Sequence, residues 1–299
     1  MVIARLWGGL GNQFFQYAAG YSLAQKLRTT LLLDPLRCDL DRNRPYELHH
    51  FQISGRLWTA REKKCVESVA RIARPVDEQT SSLAKWLKTA AQPFLTPWFS
   101  YVEDQYCGFQ PQVFASRGHV YMAGTWASAN YFEEYSDAIR RQFTLAQTPD
   151  EENQRMLDKI ASQNAIGVHV RRGDYVSVPE TSQRHGLCGL DYYQRAFQYL
   201  TDHVSNPAVF IFSDDPAWVR ENLCFPCPTT FVTHNVGNKN YLDLQLMAAC
   251  RHFIIANSTF SWWGAWLSNA DGKIVVAPKR WTVDPKGTDD PVLSHWVRL

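Results

Sequence analysis

Residues 165–175 read Ala165-Ile166-Gly167-Val168-His169-Val170-Arg171-Arg172-Gly173-Asp174-Tyr175. The apolar start of this run, with its β-branched residues, is typical of a buried strand. When such a strand ends in a glycine-containing turn, the following side chains lie at the carboxyl edge of the sheet, where open α/β folds bind ligands. Arg171 and Arg172 favour an anion there, because a guanidinium can grip two phosphate oxygens at once. The run predicts an α/β fold with a diphosphate site, and the alternative is that both arginines form surface ion pairs with acids such as Asp174.

Strand-like and helix-like segments alternate after this motif. Short β-branched or aromatic runs occupy residues 209–212, 230–232, 252–256 and 273–277. Between them lie two apolar stripes at helical spacing, formed by Tyr193, Phe197, Leu200 and Val204 and by Leu242, Leu246 and Ala249. The second half therefore predicts a parallel sheet covered by helices.

Two further motifs follow predicted strands of this half. Residues 212–216 read Phe-Ser-Asp-Asp-Pro, and Pro216 suits the first turn of a helix. Ser213, Asp214 and Asp215 could accept hydrogen bonds from a guanine edge or a ribose, or an Asp could simply cap the helix.

Residues 257–266, Asn-Ser-Thr-Phe-Ser-Trp-Trp-Gly-Ala-Trp, open another helix. Its hydroxyls and first N–H groups are predicted to point at an anion. The alternative is that Ser258 or Thr259 only caps the helix while the tryptophans fill the core. The candidate donor-binding residues of this segment are Asn257, Ser258, Thr259 and Ser261.

The N-terminus supplies a fourth strand end. A strand-like run at residues 2–6 is followed by Trp7-Gly8-Gly9-Leu10-Gly11-Asn12-Gln13 and an apolar helix. Phe14 stands where a dinucleotide fingerprint has its third glycine, which argues against an NAD site. Gly9 and Gly11 still allow a ligand to approach the backbone, and Asn12 and Gln13 are paired donors and acceptors suited to a sugar.

In the order of these motifs, the chain resembles the bacterial α-1,2-fucosyltransferases, which are similar in motif order to the plant, invertebrate and vertebrate α-1,2-, α-1,6- and protein O-fucosyltransferases. The resemblance rests on residues 8–16, 44–48, 124–132, 169–175, 212–218 and 257–267. Thr125 and Ala127 stand where family members often carry Tyr and Gln.

The resemblance implies a GT-B architecture, two Rossmann-like domains facing a central cleft. It implies transfer of L-fucose, with inversion, from GDP-β-L-fucose to the 2-hydroxyl of a terminal galactose in a glycan, without a metal or other cofactor. In that picture Arg171 holds the pyrophosphate, His169 lies near the fucose, Asp214 and Asp215 lie near guanosine, and residues 258–261 form the phosphate loop. Residues 9–13 match the loop that closes over fucose and acceptor, with Asn12 beside the reaction. Asp174 and Ser213 complete the set expected to bind the donor.

Several alternatives stay open. The general base is undetermined among His169, Asp174 and Glu47, because geometry decides among them. Asp39 and Asp41 resemble a metal-binding Asp-x-Asp, although the charged run 37–44 favours a solvated loop. A transferase of another fucosyl linkage and a nucleotide-sugar-binding protein without turnover are the remaining function classes.

Composition agrees with a two-domain enzyme. The chain has 299 residues, 45% of them hydrophobic, and 31 basic against 29 acidic side chains, which gives no electrostatic reason to expect nucleic acid as a partner. No run is long and apolar enough for a signal peptide or a membrane span, so we expect a cytoplasmic protein. The seven cysteines are expected to be reduced thiols, and the C-x-x-C at 224–227 lacks a second ligand pair for zinc.

The domain boundary is expected in the polar stretch 147–152, with Thr148 or Asp150 capping the next helix. The predicted domains are 1–146 on the acceptor side, 147–285 for GDP-fucose, and a tail, 286–299, that crosses back over the first domain. The middle of the first domain, residues 61–99, carries no recognisable chemistry, so the acceptor glycan cannot be named.

Overall fold

The computed structural model describes residues 1–41, 44–74, 97–104, 108–283 and 290–299. The chain divides into two compact units, Met1–Phe143 and Thr144–Leu299. Residues 75–96 of the predicted middle region and 286–289 at the start of the predicted tail lie outside the described residues.

The first unit is built on a parallel sheet with the strand order β3-β2-β1-β5-β4. Its described elements are β1 (Val2–Arg5), α1 (Leu10–Lys26), β2 (Leu31–Asp34), α2 (Leu36–Leu40), β3 (Arg56–Leu57), α3 (Ala60–Ala73), β4 (Phe99–Glu103), β5 (His119–Ala123) and α4 (Ser136–Gln142). Short 3-10 turns at Leu48–His50, Pro111–Ala115, Ala129–Tyr131 and Glu133–Tyr135 connect them.

Helix α1 is buried along most of its length because aromatic side chains close over it. Phe14 is fully buried, stacks on Phe143 with ring centroids 3.7 Å apart, and meets Phe51 edge-on at 4.8 Å. The residue that breaks the dinucleotide fingerprint is thus a core residue of this unit.

The second unit has a parallel sheet with the order β11-β10-β9-β6-β7-β8. Its elements are α5 (Glu151–Ala161), β6 (Asn164–Val170), α6 (Gly173–Ser177), α7 (Pro179–His185), α8 (Leu190–Thr201), β7 (Pro207–Ser213), α9 (Pro216–Asn222), β8 (Thr229–Val232), α10 (Asn240–Ala248), β9 (His252–Ile254), α11 (Thr259–Leu267), β10 (Val275–Ala277) and β11 (Val297–Arg298). The alternation predicted from sequence is present, with β9 and β10 shorter than their apolar runs. Asp150 caps α5 by accepting a hydrogen bond from the Asn153 N–H at 3.0 Å.

The end of the chain extends the sheet of the second unit, because Val297 and Arg298 pair in parallel with Val276 and Ala277. One prediction is corrected: the part of the charged run up to Leu40 is not a loop, because Leu36–Leu40 forms a helical turn in which the Asp39 N–H donates to the Pro35 carbonyl.

Candidate active site

The carboxyl ends of β6, β7 and β9 are neighbours in the second sheet. Strand β6 pairs with β7 on one side, where His169 is opposite Phe212 and Val170 opposite Ser213, and with β9 on the other. The sheet therefore brings together the three motifs that follow these strands, at 171–175, 214–218 and 257–261.

Arg171 lies between two carboxylates. One terminal nitrogen of its guanidinium is 2.6 Å from Asp174 Oδ1 and the other is 3.1 Å from Asp214 Oδ2. Its side chain keeps 30% exposure, so it is accessible to a ligand at the strand end. Both interpretations of the motif therefore apply: the arginine is ion-paired, and it lies at the carboxyl edge of the sheet, where open α/β folds bind ligands.

Arg172 is held more firmly than Arg171. Its Nε donates to Asp215 Oδ2 at 3.1 Å, its backbone N–H donates to Asp214 Oδ1 at 2.8 Å, and its guanidinium lies 3.8 Å from the centre of the Trp218 ring. Sequence reasoning missed this stack, although Trp218 follows Pro216 in the first turn of α9. Arg172 therefore fixes the turn to α9.

Gly173 lets Asp214 approach the turn. A Cβ added at Gly173 would lie 2.5 Å from Asp214 Oδ2, which is closer than real Cβ contacts come. Asp215 in turn caps α9 by accepting from the Trp218 N–H at 3.2 Å, and its own N–H donates to Ser213 Oγ at 3.0 Å. Asp215 thus does cap the helix, while Asp214 belongs to the cluster around the arginines.

His169 is 5% exposed at the end of the central strand. Its Nδ1 has no hydrogen-bond partner among the described residues, its ring lies 5.3 Å from that of Phe260, and its carbonyl accepts from the Tyr193 hydroxyl at 3.2 Å. Burial, and secondarily the charge of Arg171, lowers the pKa of His169 to about 3. The imidazole is therefore neutral at pH 7, and its low pKa makes it too weak a base to favour it as the general base.

In the third motif, the side chains of two of the four predicted ligand residues are hydrogen-bonded to other parts of the protein. The Asn257 amide donates to the carbonyls of His185 at 2.8 Å and Trp281 at 3.2 Å, and Ser261 is fully buried with its hydroxyl on the Ser258 carbonyl at 3.2 Å. These residues shape the loop, because their side-chain hydrogen bonds are already made. Ser258 and Thr259 stay at the start of α11, where the Ser258 side chain makes no capping hydrogen bond with the described residues.

The glycine turn of the first unit follows β1. Gln13, predicted as a ligand residue, is fully buried, donates to the carbonyls of Gly8 and Pro45 at 2.9 and 2.8 Å, and accepts from the Glu47 N–H at 3.0 Å. It supports the turn instead of facing a ligand. Gly9 has φ −72° and ψ 173°, and a Cβ there would meet nothing within 4 Å. Neither conformation nor packing requires glycine at this position, so its surface is open to a ligand.

The segment after β5 lies beside this turn, since β5 pairs with β1. The indole N–H of Trp7 donates to the Gly124 carbonyl at 3.2 Å. The Asp104 carboxylate accepts from the Thr125 hydroxyl at 3.0 Å and from the N–H of Trp126, which has the left-handed φ of 56°. Such a conformation is rare for a bulky residue and is held here by a buried acid that sequence reasoning did not single out.

No helix among the described residues has both the length and the apolar character that crossing a membrane requires.

Known proteins are similar in sequence to this chain over almost its whole length. An Escherichia coli protein named O-antigen biosynthesis glycosyltransferase WbnK is 34% identical over 321 residues, covering 98% of this chain and 99% of its own. A second E. coli protein, named alpha-1,2-colitosyltransferase, is 32% identical over 308 residues, covering 100% of this chain and 99% of its own.

A solved structure shares the fold. A point mutant of Arabidopsis thaliana FUT1 in complex with GDP superposes with a TM-score of 0.52 at 13% identity, covering 94% of this chain and 71% of that one. The α/β architecture with parallel sheets is thus that of GT-B glycosyltransferases, as predicted. The sequence profile described as Glycosyl transferase family 11 matches residues 57–299. With this match and the two E. coli relatives above 30% identity, the chain belongs to glycosyl transferase family 11.

Proposed function

We propose that this glycosyltransferase transfers L-fucose, with inversion, from GDP-β-L-fucose to the 2-hydroxyl of a terminal galactose in an oligosaccharide. The observation that carries the proposal is the position of Arg171 at the end of the central strand, with Asp214 and the start of α11 on the neighbouring strand ends.

Arg171 suits the leaving group. Breaking the bond between the anomeric carbon and the diphosphate builds negative charge on GDP, and a fixed guanidinium at that point stabilises the transition state more than the ground state. Arg172 is stacked and ion-paired, so it orients the turn, while Arg171 contacts the phosphates.

We assign protein groups to the other parts of the donor by their hydrogen-bonding chemistry. The first N–H groups of α11, with Ser258 and Thr259, suit the phosphate oxygens, because a helix N-terminus favours anions. Asp214 suits the N–H donors of guanine or the hydroxyls of ribose, since a carboxylate only accepts hydrogen bonds. No metal ion enters this scheme, so we expect turnover in excess EDTA.

In this scheme a carboxylate is the general base that removes the proton from the acceptor hydroxyl. His169 is neutral and its pKa of about 3 makes it a weak base, so it serves as a polar contact beside the sugar. Asp174 and Glu47 remain as candidates by type. We assign Asn12, Gly9 and Gly11 of the first unit to the sugar and acceptor, with the Asp104-held segment at Thr125 and Trp126 beside them.

The identity of the sugar has a second candidate. The relative named alpha-1,2-colitosyltransferase, 32% identical over 100% of this chain, favours transfer of colitose with the same linkage. Colitose is fucose without its 3-hydroxyl, so the two donors differ by one hydrogen-bonding group. A site that hydrogen-bonds that hydroxyl would reject colitose strongly, whereas one that does not would accept both.

The test is GDP release in EDTA from GDP-fucose and, in parallel, GDP-colitose, each with and without lactose or a galactosyl-N-acetylhexosamine, followed by linkage analysis. We expect acceptor-dependent release with fucose on the galactose 2-hydroxyl. Faster release from GDP-colitose would establish the second candidate, and another linkage on the product would replace the 2-hydroxyl assignment. Tight GDP binding without release on any of these acceptors would favour a binding protein, and loss of all turnover in EDTA would restore a metal site.

A further inference from the structure

The donor site carries more carboxylates than cations. Arg171 and Arg172 face Asp174, Asp214 and Asp215, through ion pairs of 2.6 and 3.1 Å for Arg171 and 3.1 Å for Arg172. The cluster is therefore formally negative before a diphosphate, itself an anion, arrives. A phosphate that binds Arg171 therefore has to compete with these carboxylates for the guanidinium.

Arg171 is the cation that can change partners. Arg172 is anchored by Asp215, by the ring of Trp218 at 3.8 Å and through its backbone. Arg171 is held by Asp174 and Asp214, with the ring of Tyr175 further away, at 5.6 Å. Its side chain is also the more exposed of the two, at 30% against 20%.

The two partners of Arg171 are held on different nitrogens of its guanidinium. Asp214 Oδ1 accepts from the Arg172 N–H at 2.8 Å, and Gly173 leaves room for Oδ2 against the turn. The shortest contact of Arg171, at 2.6 Å, is with Asp174, three residues further along the same motif. A phosphate that reaches this end of the guanidinium therefore meets Asp174 as its competitor.

We propose that Asp174 is an internal counter-ion, which occupies Arg171 in the nucleotide-free protein and is displaced from it by the diphosphate of the donor. This inference rests on the proposed function, in which Arg171 grips that diphosphate. Exchange of one anion for another keeps Arg171 paired and oriented, but it weakens the binding of any phosphate group by the strength of the lost pair. Free phosphate and pyrophosphate are thereby disfavoured relative to a nucleotide, whose nucleoside adds contacts of its own. After transfer, the displaced carboxylate beside GDP favours its departure.

The test compares binding of pyrophosphate and of GDP to the whole protein by calorimetry, in the wild type and in Asp174→Asn. We expect the variant to bind pyrophosphate about two- to fivefold more tightly, as fits loss of a partly exposed ion pair. GDP is expected to bind more tightly as well, with stronger product inhibition and a lower kcat. A purely structural role for Asp174 would weaken binding and would not tighten it.

Two further variants make the test specific. Asp191→Asn removes an exposed pair with Arg195 at 3.2 Å in the same unit and is expected to leave both affinities unchanged. In an Arg171→Ala background, Asp174→Asn is expected to tighten pyrophosphate binding much less, because only the repulsion between the carboxylate and the anion is then removed. If Asp174→Asn fails to fold, Asp174→Glu keeps the charge and Asp174→Ser removes it, and the Ser variant is expected to bind pyrophosphate more tightly than the Glu variant.

Unchanged or weaker pyrophosphate binding in Asp174→Asn would overturn the inference, as would equal tightening in the Arg171→Ala background. These readouts measure anion binding without turnover. Absence of fucosyl transfer together with the expected exchange would therefore reject the proposed function and leave the counter-ion in place.

Discussion

At the residue scale, Arg171 is the side chain on which the proposed chemistry depends. We expect Arg171→Ala to lower the rate of GDP release from the donor by about 10²–10³-fold, the usual effect of losing one preorganised donor to a developing charge. Arg171→Lys is expected to recover little, because an ammonium cannot grip two oxygens in a fixed plane. The matched control is Arg195→Ala, which removes an exposed arginine of the same unit. A folded Arg171→Ala enzyme within about threefold of the wild-type rate would contradict the assignment.

The burial of His169 also has a consequence for stability. Its pKa falls from 6.5 to about 3 in the folded protein, so below pH 6.5 the unfolded chain binds a proton that the folded chain does not. The free energy of unfolding therefore rises with pH between about 3 and 6.5, by up to about 1.4 kcal/mol per pH unit from this one group. Burial raises the pKa of Asp243 from 3.8 to about 6, so between these pH values the folded chain holds a proton that the unfolded chain has lost. The stabilisation of the folded state by this group is therefore present at low pH and is lost as the pH rises through about 6.

We expect His169→Gln to make the slope of the unfolding free energy against pH more negative between pH 4 and 6, because the contribution of Asp243 then lacks its counterweight. Urea unfolding at pH 4.5, 5.5 and 6.5 measures this effect, and His203→Gln, at an exposed residue just after α8, is the control. An unchanged slope in His169→Gln would show that the imidazole is not kept neutral by burial.

At the scale of elements, the stack of Arg172 on Trp218 joins the β6–α6 turn to α9. A cation–π contact contributes about 0.5–2 kcal/mol, depending on exposure. Trp218→Ala is expected to weaken GDP binding by about three- to tenfold, because Arg172 loses part of its anchor, whereas Trp218→Phe retains most of the affinity. Trp98→Ala, at an exposed tryptophan of the first unit, is the control for calorimetry. Equal GDP affinity in the wild type and Trp218→Ala would show that the stack does not support the donor site.

Sequence patterns predicted the second sheet well because its strands are continuous buried runs. Every residue of β6 except Asn164 is buried, and the apolar faces of α8 and α10 read at helical spacing. The patterns did not show β11, an edge strand of two residues fixed by pairing with β10 rather than by its own composition. The patterns also missed helix α2, because five residues with mixed charges show no clear helical period.

Motifs located the strand ends of the candidate site, but they could not separate ligand residues from supports. Gln13, Asn257 and Ser261 have the polar side chains that a sugar nucleotide needs, and all three hydrogen-bond to backbone groups of the protein. That difference depends on neighbours far apart in sequence, such as Asn257 and Trp281, which a local pattern does not contain.

At the scale of the whole molecule, the two units are expected to respond differently to nucleotide. With saturating GDP, amide hydrogen exchange should slow at residues 169–175, 212–218 and 257–262 of the second unit. Helix α3 of the first unit, an exposed helix with few buried residues, should exchange unchanged and serves as the internal control. Protection confined to the glycine turn after β1 would move the donor to the first unit and contradict the arrangement proposed here.

The pairing of β6 on both sides limits where the chain can change length. A strand bonded to β7 over seven residue pairs and to β9 over three cannot accept one extra residue without losing its alternation. An insertion between Val168 and Arg171 would shift the motif by about 3.3 Å, more than the tolerance of a hydrogen bond, and turn each side chain to the other face. Asp214 and Arg171 would then no longer meet, even with every site residue retained. The site therefore constrains spacing within the motif as strictly as residue type, and loops distant from these strand ends are the places where insertions can be accommodated.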